Sequence, residues 1–228
     1  TFPLSKVQRY LSRPQRMDLS SALKMIKFNV AAINCCTETE GPYKRLCIWF
    51  QGCDIHCKGC CNPDYQAFAL RNLMTLDELI AVIKDAKDKH GIEGVTYSGG
   101  EPTLQQNLPE LTKAIQALGL GVISFTGHLY EQVEKQLEGC DMVLDGAFVE
   151  SKLETKRKIL GSTNQRILCL TDRYKNCVDW FGHRYRWYPY SMVERTRRQR
   201  ECFLGVSYWC ICQWFYNVYS QLRGKPYA

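Results

Sequence analysis

The sequence predicts an α/β fold, an open partial (β/α) barrel on a mostly parallel sheet. Three observations carry this. Strand-like and helix-like segments alternate from Ile26 to about Asp172, the pattern of helices packed on a parallel sheet. That span is far shorter than the about 250 residues of a full eight-unit barrel, so the barrel should stay open. The chain's Cys- and Gly-bearing motifs all follow predicted strands, the edge where open α/β sheets place their ligands.

Taken in order, "IKFNVAAI" (26–33) and "LCIWFQ" (46–51) read as buried strands, and a cysteine-rich loop follows the second. Thr75 with Glu78 forms a capping box in which hydroxyl and carboxylate each satisfy a free amide. The helix it opens runs to about Lys89, with Leu76, Leu79, Ile80 and Ile83 on one face and Gly91 as its stop. "IEGVTYS" (92–98) is a strand. Asn107, Pro109 and Gly119 bracket a second helix. "GVISFT" (121–126) is a strand, "LYEQVEKQLE" (129–138) a helix, and "MVLD" (142–145) and "RILCL" (166–170) are closing strands.

Three segments follow from this reading: an extension over 1–26, a core domain over 27–172 and a basic, aromatic extension over 173–228. Residues 1–172 together are electrically neutral. The last segment holds ten basic and three acidic residues, which is the whole net charge of +7. A basic stretch binds nucleic acid or anionic membrane in some proteins, but here a solvated tail is the expectation, with no nucleic acid and no membrane as partner. The uncharged run 202–222 just reaches the length of a membrane span, yet Gln213, Asn217 and several Ser and Tyr dilute it. A shifted reading frame is another reading of this tail. The chain starts at Thr1, so its start is read as incomplete or processed. No signal peptide is visible, and a reducing cytoplasm is the expected compartment for its thirteen cysteines.

The chemistry concentrates in "QGCDIHCKGCC" (51–61). Cys53, Cys57 and Cys60 are spaced C-x3-C-x2-C. Three thiolates on one loop suit three irons of a cubane cluster, leaving a fourth iron open to a small molecule. A zinc site would want a fourth protein ligand and C-x2-C knuckles, and His56 is awkwardly placed to supply one. Cys61 reads as a packed thiol beside the ligands, and Cys140 and Cys169 as small apolar residues. "SGGEP" (98–102) places Gly99 and Gly100 where a backbone approaches a ligand closely, and Glu101 offers a carboxylate to a cation such as an amino group. "TGH" (126–128) and "DG" (145–146) share the same predicted edge.

These motifs resemble the radical S-adenosylmethionine (SAM) superfamily. More narrowly, "EGPYKRLCIWFQGCDIHCKGCCNP", "TYSGGEP", "SFTGH", "MVLDGAFVESK" and "GSTNQR" occur in the order seen in activases of glycyl-radical enzymes, those of anaerobic ribonucleotide reductase in particular. The resemblance runs from about Phe28 to Tyr174. It implies a [4Fe-4S] cluster and SAM as cofactors. It also implies reductive cleavage to methionine and a 5′-deoxyadenosyl radical, and hydrogen abstraction from a glycine of a partner enzyme. A reduced flavodoxin or ferredoxin-type protein would supply the electron. Carried over, Cys53, Cys57 and Cys60 would hold the cluster. Gly99, Gly100 and Glu101, flanked by Ser98 and Pro102, would hold the methionine amino group. Thr126 and Gly127 would line the ribose side, with Asp145, Ser162 and Asn164 as further cofactor-binding candidates, although "GSTN" is also ordinary turn chemistry.

There are departures. Gly59 stands where many superfamily members carry an aromatic residue, and Tyr43 where a Gly-Pro-Gly turn is common. No ferredoxin-like cysteine insert lies between Cys61 and Val95, unlike in the larger activases. Three other readings stay open at this point: a radical enzyme acting on another protein, peptide or small molecule, a zinc-binding nucleic-acid module, and an inactive copy.

Overall fold

A computed structural model of the chain describes residues 26–182. The expectations for 1–25 and 183–228, the aromatic run 202–222 among them, lie outside the described residues. Seven strands form one sheet: β1 (Lys27–Thr37), β2 (Arg45–Phe50), β3 (Asn72–Thr75), β4 (Gly94–Gly99), β5 (Gly121–Phe125), β6 (Met142–Asp145) and β7 (Arg166–Cys169). Their order across the sheet is β3-β1-β2-β4-β5-β6-β7. The neighbours β2, β4, β5 and β6 run parallel, as the alternation predicts. Both margins are antiparallel: β1 against β2 and β3 on one side, β7 against β6 on the other.

The parallel strands read as near-continuous apolar runs because both faces are covered. Alternation inside them sorts residues between two cores. Val122 and Val143 pack with the helices α1 (Leu76–His90) and α2 (Leu108–Gln116), whereas Ile123, Met142 and Leu144 pack on the opposite face with Tyr174 and Phe181. The apolar stripe of α1 is Leu76, Leu79, Ile83 and Ala86, and that of α2 is Leu108, Leu111 and Ile115. The capping box forms as expected. Thr75 Oγ1 accepts from Glu78 N at 3.3 Å, and Glu78 Oε2 accepts from Thr75 N at 2.8 Å. Gly91 ends α1 in a left-handed conformation.

Several expectations are corrected. The helix foreseen over 129–138 is only α3, Tyr130–Val133. Beyond it Gln136 N donates to Val133 O, three residues back, and the chain turns tightly to deliver the buried Cys140 to the start of β6. β3 was not foreseen: its residues are exposed or half-buried, so no apolar period marks it. The packed core also runs past the expected boundary at 172, into a 3₁₀ turn (Asp172–Cys177) and α4 (Asp179–Gly182).

The reason for that extension is a buried arginine. Arg45 is fully buried at the start of β2. Its Nε donates to Thr96 Oγ1 (2.7 Å), Nη2 to Val95 O (2.7 Å), and Nη1 to Tyr174 OH (2.9 Å). The guanidinium also sits 5.1 Å from the Tyr174 ring centre. A buried cation with only neutral acceptors is tolerable only if those acceptors are held in place, so Tyr174 closes this end of the sheet. Nearby Tyr43 adopts φ 64, so the turn keeps a glycine-like conformation without the glycine.

The long connection from β6 to β7 folds on itself. Thr163 N donates to Lys152 O and Glu154 N to Gly161 O. Burial pushes the Glu154 carboxyl up, but the N–H groups of Lys156 and Arg157 and the Arg157 guanidinium outweigh it and hold it at about 2. No helix of the described residues is long and apolar enough to cross a membrane.

Two outcomes follow. Tyr174→Phe, which deprives a buried guanidinium of an acceptor, should lower unfolding stability by about 1.5–3 kcal/mol in urea titrations. Glu154 has a folded-state pKa below its ordinary 4.5, so its contribution is complete above that value and disappears as pH falls toward 2. Glu154→Gln should therefore be less stable than the parent at neutral pH, with the gap in unfolding midpoint closing across that acid window.

Candidate functional site

The site is built from the ends of two parallel strands. β2 and β4 pair with Trp49 opposite Ser98 and Phe50 opposite Gly99. The ladder continues into the loops, where Gly100 N donates to Phe50 O at 2.9 Å and Glu101 N to Gly52 O at 2.8 Å. The loops touch so closely that a methyl group on Gly100 would lie 2.1 Å from Gly52 O. "SGGEP" and the thiol loop are thus one backbone assembly, which the shared edge predicted.

The thiol loop is fixed from behind by the segment that follows it. Gly52 N donates to Tyr65 O at 2.8 Å and Cys53 N to Gln66 O at 3.0 Å. Asn62 N lies 3.4 Å from Cys60 Sγ, and Asn62 Nδ2 3.4 Å from Gly99 O. Burial pushes the Cys53 and Cys57 thiols up. Backbone N–H groups work against that and favour the thiolates: those of Ile55 and His56 at Cys53, and that of Phe148 at Cys57. Cys60 is held down at about 6, chiefly by the hydrogen bond from the Cys61 thiol, which is pushed up in turn. Cys53 and Cys57 each feel the charges of Cys60 and Glu101, so all four groups share one neighbourhood.

This donor set fits a [4Fe-4S] cluster. Among the described residues, no three His, Cys, Asp or Glu side chains converge as they would on one metal ion. Ligands to a cubane each take a different iron, which suits three thiols spread along one loop.

Glu101 is buried, and both of its carboxylate oxygens accept hydrogen bonds. Oε1 accepts from Thr103 N (3.0 Å) and Thr103 Oγ1 (2.7 Å), and Oε2 accepts from Gly127 N (2.8 Å). It thereby ties the loop after β4 to the loop after β5. Ser98, next to last in β4, is half-buried, and Pro102 opens the 3₁₀ turn that Glu101 caps. Thr126 N donates to Leu144 O, and its hydroxyl accepts from His128 N at 3.1 Å. Thr126 and Gly127 therefore do lie beside Glu101.

Three other candidates sit differently. Asp145 is fully buried, and both its oxygens are taken by Arg166 and by Tyr130 N. Its visible work is to anchor β7 and α3. Ser162 Oγ accepts from Val149 N at 3.1 Å, and Asn164 Nδ2 donates to Ala147 O at 2.9 Å. Both brace the loop 146–149, whose Phe148 N–H reaches Cys57. Gln165 joins them, accepting from Gly161 N and donating to Gly146 O. Sequence reasoning singled out neither Gln165, Phe148, Asn62, Asp54 nor His128. All five lie within or beside the quoted motif blocks, which was their one available signal.

The chain matches the 4Fe-4S single cluster domain family over residues 39–168. It is 28% identical over 144 residues to the anaerobic ribonucleoside-triphosphate reductase-activating protein of Enterobacteria phage T4, covering 60% of this chain and 91% of that one. The protein of the same name from Escherichia coli K12 is 27% identical over 138 residues, covering 55% and 88%. The pyruvate formate-lyase-activating enzyme of Clostridium pasteurianum is 33% identical over 125 residues, but this chain spans only 52% of it. Among solved structures, QueE from Escherichia coli overlaps at a TM-score of 0.40 and 17% identity, over 48% of this chain and 57% of that one. With the motif order, the strand-end geometry and the family match together, the chain belongs to the 4Fe-4S single cluster domain family and is a radical SAM enzyme of the activase kind, with a [4Fe-4S] cluster and SAM as cofactors.

Proposed function

We propose that this chain cleaves SAM reductively at a cluster held by Cys53, Cys57 and Cys60, in order to place a glycyl radical on a partner enzyme. The observation that carries the reading is the direct joining of the thiol loop to "SGGEP", through Gly100 N to Phe50 O and Glu101 N to Gly52 O. When bound, the cluster supplies a single electron to the sulfonium and an open iron for the amino acid end of SAM. The chain supplies placement. N–H groups from Ile55, His56 and Phe148 aim at Cys53 and Cys57 and offset part of the burial that raises these thiols. Ser98, Gly99, Gly100, Glu101 and Pro102 form the amino-group side, and Thr126 and Gly127 the ribose side. Ser162, Asn164 and Asp145 act by holding their loops. The core carries this machinery on a sheet curled as an open partial barrel, and it runs from 27 past 172 to include Tyr174 and Phe181.

The partner is an anaerobic ribonucleotide reductase in this reading. The matches to the two reductase activators extend over 91% and 88% of those proteins, and that size supports a reductase over a lyase as partner. A reduced flavodoxin or ferredoxin-type protein is the proposed donor, and the cytoplasm the proposed site of action.

The test is anaerobic reconstitution followed by electron paramagnetic resonance. The expected result is about four irons and four sulfides per chain, a reduced-cluster signal perturbed by SAM, and a glycine-centred radical in added reductase. Cys53→Ala, Cys57→Ala and Cys60→Ala should each lose the complete cluster, while Cys61→Ala keeps it. A single bound zinc, or a full cluster in Cys57→Ala, would overturn the reading.

A further inference from the structure

We infer that Asp54 and His128 are a positioning pair that clasps the thiol loop onto the loop after β5, so that Cys53 and the Glu101 side of the site are held in one fixed relation. This inference rests on the proposed cluster site. It concerns residues to which the proposed chemistry gives no task.

Four contacts make the clasp. His128 Nε2 donates to Asp54 Oδ1 at 3.2 Å, joining residues 74 positions apart. The next residue of the thiol loop, Ile55, lies over Gly127, where a methyl group would stand 2.3 Å from Ile55 Cδ1. His128 is itself fixed by its N–H to Thr126 Oγ1, and Gly127 by its N–H to Glu101 Oε2. A continuous path therefore runs from Cys53 through Asp54, His128 and Gly127 to Glu101. Strain at the loop gives the path a purpose. His56 adopts φ 49, a backbone region that non-glycine residues rarely occupy without support from their surroundings. The N–H groups of Ile55 and His56 are also the ones directed at Cys53. Releasing Asp54 would free this stretch, and with it the hydrogen bonds that favour the Cys53 thiolate.

A merely superficial ion pair is the alternative, since the Asp54 and His128 side chains are 42% and 28% exposed. A double-mutant cycle separates the two. Asp54→Asn, His128→Ala, the double variant and the conservative His128→Gln, which keeps a donor toward Asp54, are compared as full-length chains. The first readout is amide hydrogen exchange over residues 53–58 in iron-free protein. The second is the rate of iron loss to a chelator after reconstitution. His128→Ala should speed both about two- to fivefold, the scale of a partly exposed pair. His128→Gln should restore most of the loss, and the double variant should be no worse than His128→Ala alone. Unchanged exchange in both single variants, or effects that multiply in the double variant, would overturn the clasp. A parent chain that assembles no cluster would sink the proposed function instead, and the exchange readout would still decide the clasp.

Discussion

The parallel pairing of β2 with β4 is the constraint from which the rest of the molecule follows. A six-residue strand, Arg45 to Phe50, carries a buried cation at one end and delivers the thiol loop at the other. At the first end, Arg45 reaches Val95 O and Thr96 Oγ1 on β4 and Tyr174 from beyond β7. These bonds set where β2 stands against β4. At the other end the same register places Phe50 opposite Gly99, so the two loops leave the sheet side by side. A slip of one residue would turn every side chain of β2 to the wrong face and would part Gly52 from Glu101.

The site shows a division of labour between backbone and side chains. Backbone N–H groups meet the thiols and glycines allow close approach, while the charged side chains mostly hold loops together. Glu101, Asp145 and Glu154 are each satisfied by N–H donors or arginine within the protein. Carboxylates buried in this way are expensive to leave unpaired, so each fixes a connection. Glu101 joins the loops after β4 and β5, Asp145 joins β6 to β7, and Glu154 holds the turn over 155–157. The result is a rim of short loops held to one another, with three thiols among them.

Much of this was legible in the sequence. The capping box at Thr75, the stop at Gly91 and the strand ends bearing "SGGEP" and "TGH" were legible because each depends on local chemistry: a cap, a left-handed turn, a run of buried β-branched residues. β3 was hidden because an edge strand of exposed residues has no apolar period. The antiparallel direction of β7 was hidden because direction depends on how the connection after Asp145 folds back, through contacts among residues 146–165 that no period announces. The contacts that Asp145 and Ser162 make with neighbouring loops escaped for a related reason. A motif shows that a polar residue is needed at a position, but only tertiary contacts show whether it faces a ligand or another loop. The role of Tyr174 was likewise invisible, since its partner Arg45 lies 129 positions away.

The central claim is that the thiol loop holds its cluster because it is joined to the strand-β4 loop by close backbone contact. The most direct measurement is iron content after anaerobic reconstitution of Gly100→Ala, alongside its far-ultraviolet circular dichroism. The account predicts a folded sheet with iron well below the about four atoms per chain of the parent, because the added methyl would sit 2.1 Å from Gly52 O and force the loops apart. A Gly100→Ala chain that takes up the parent's full complement of iron would contradict it.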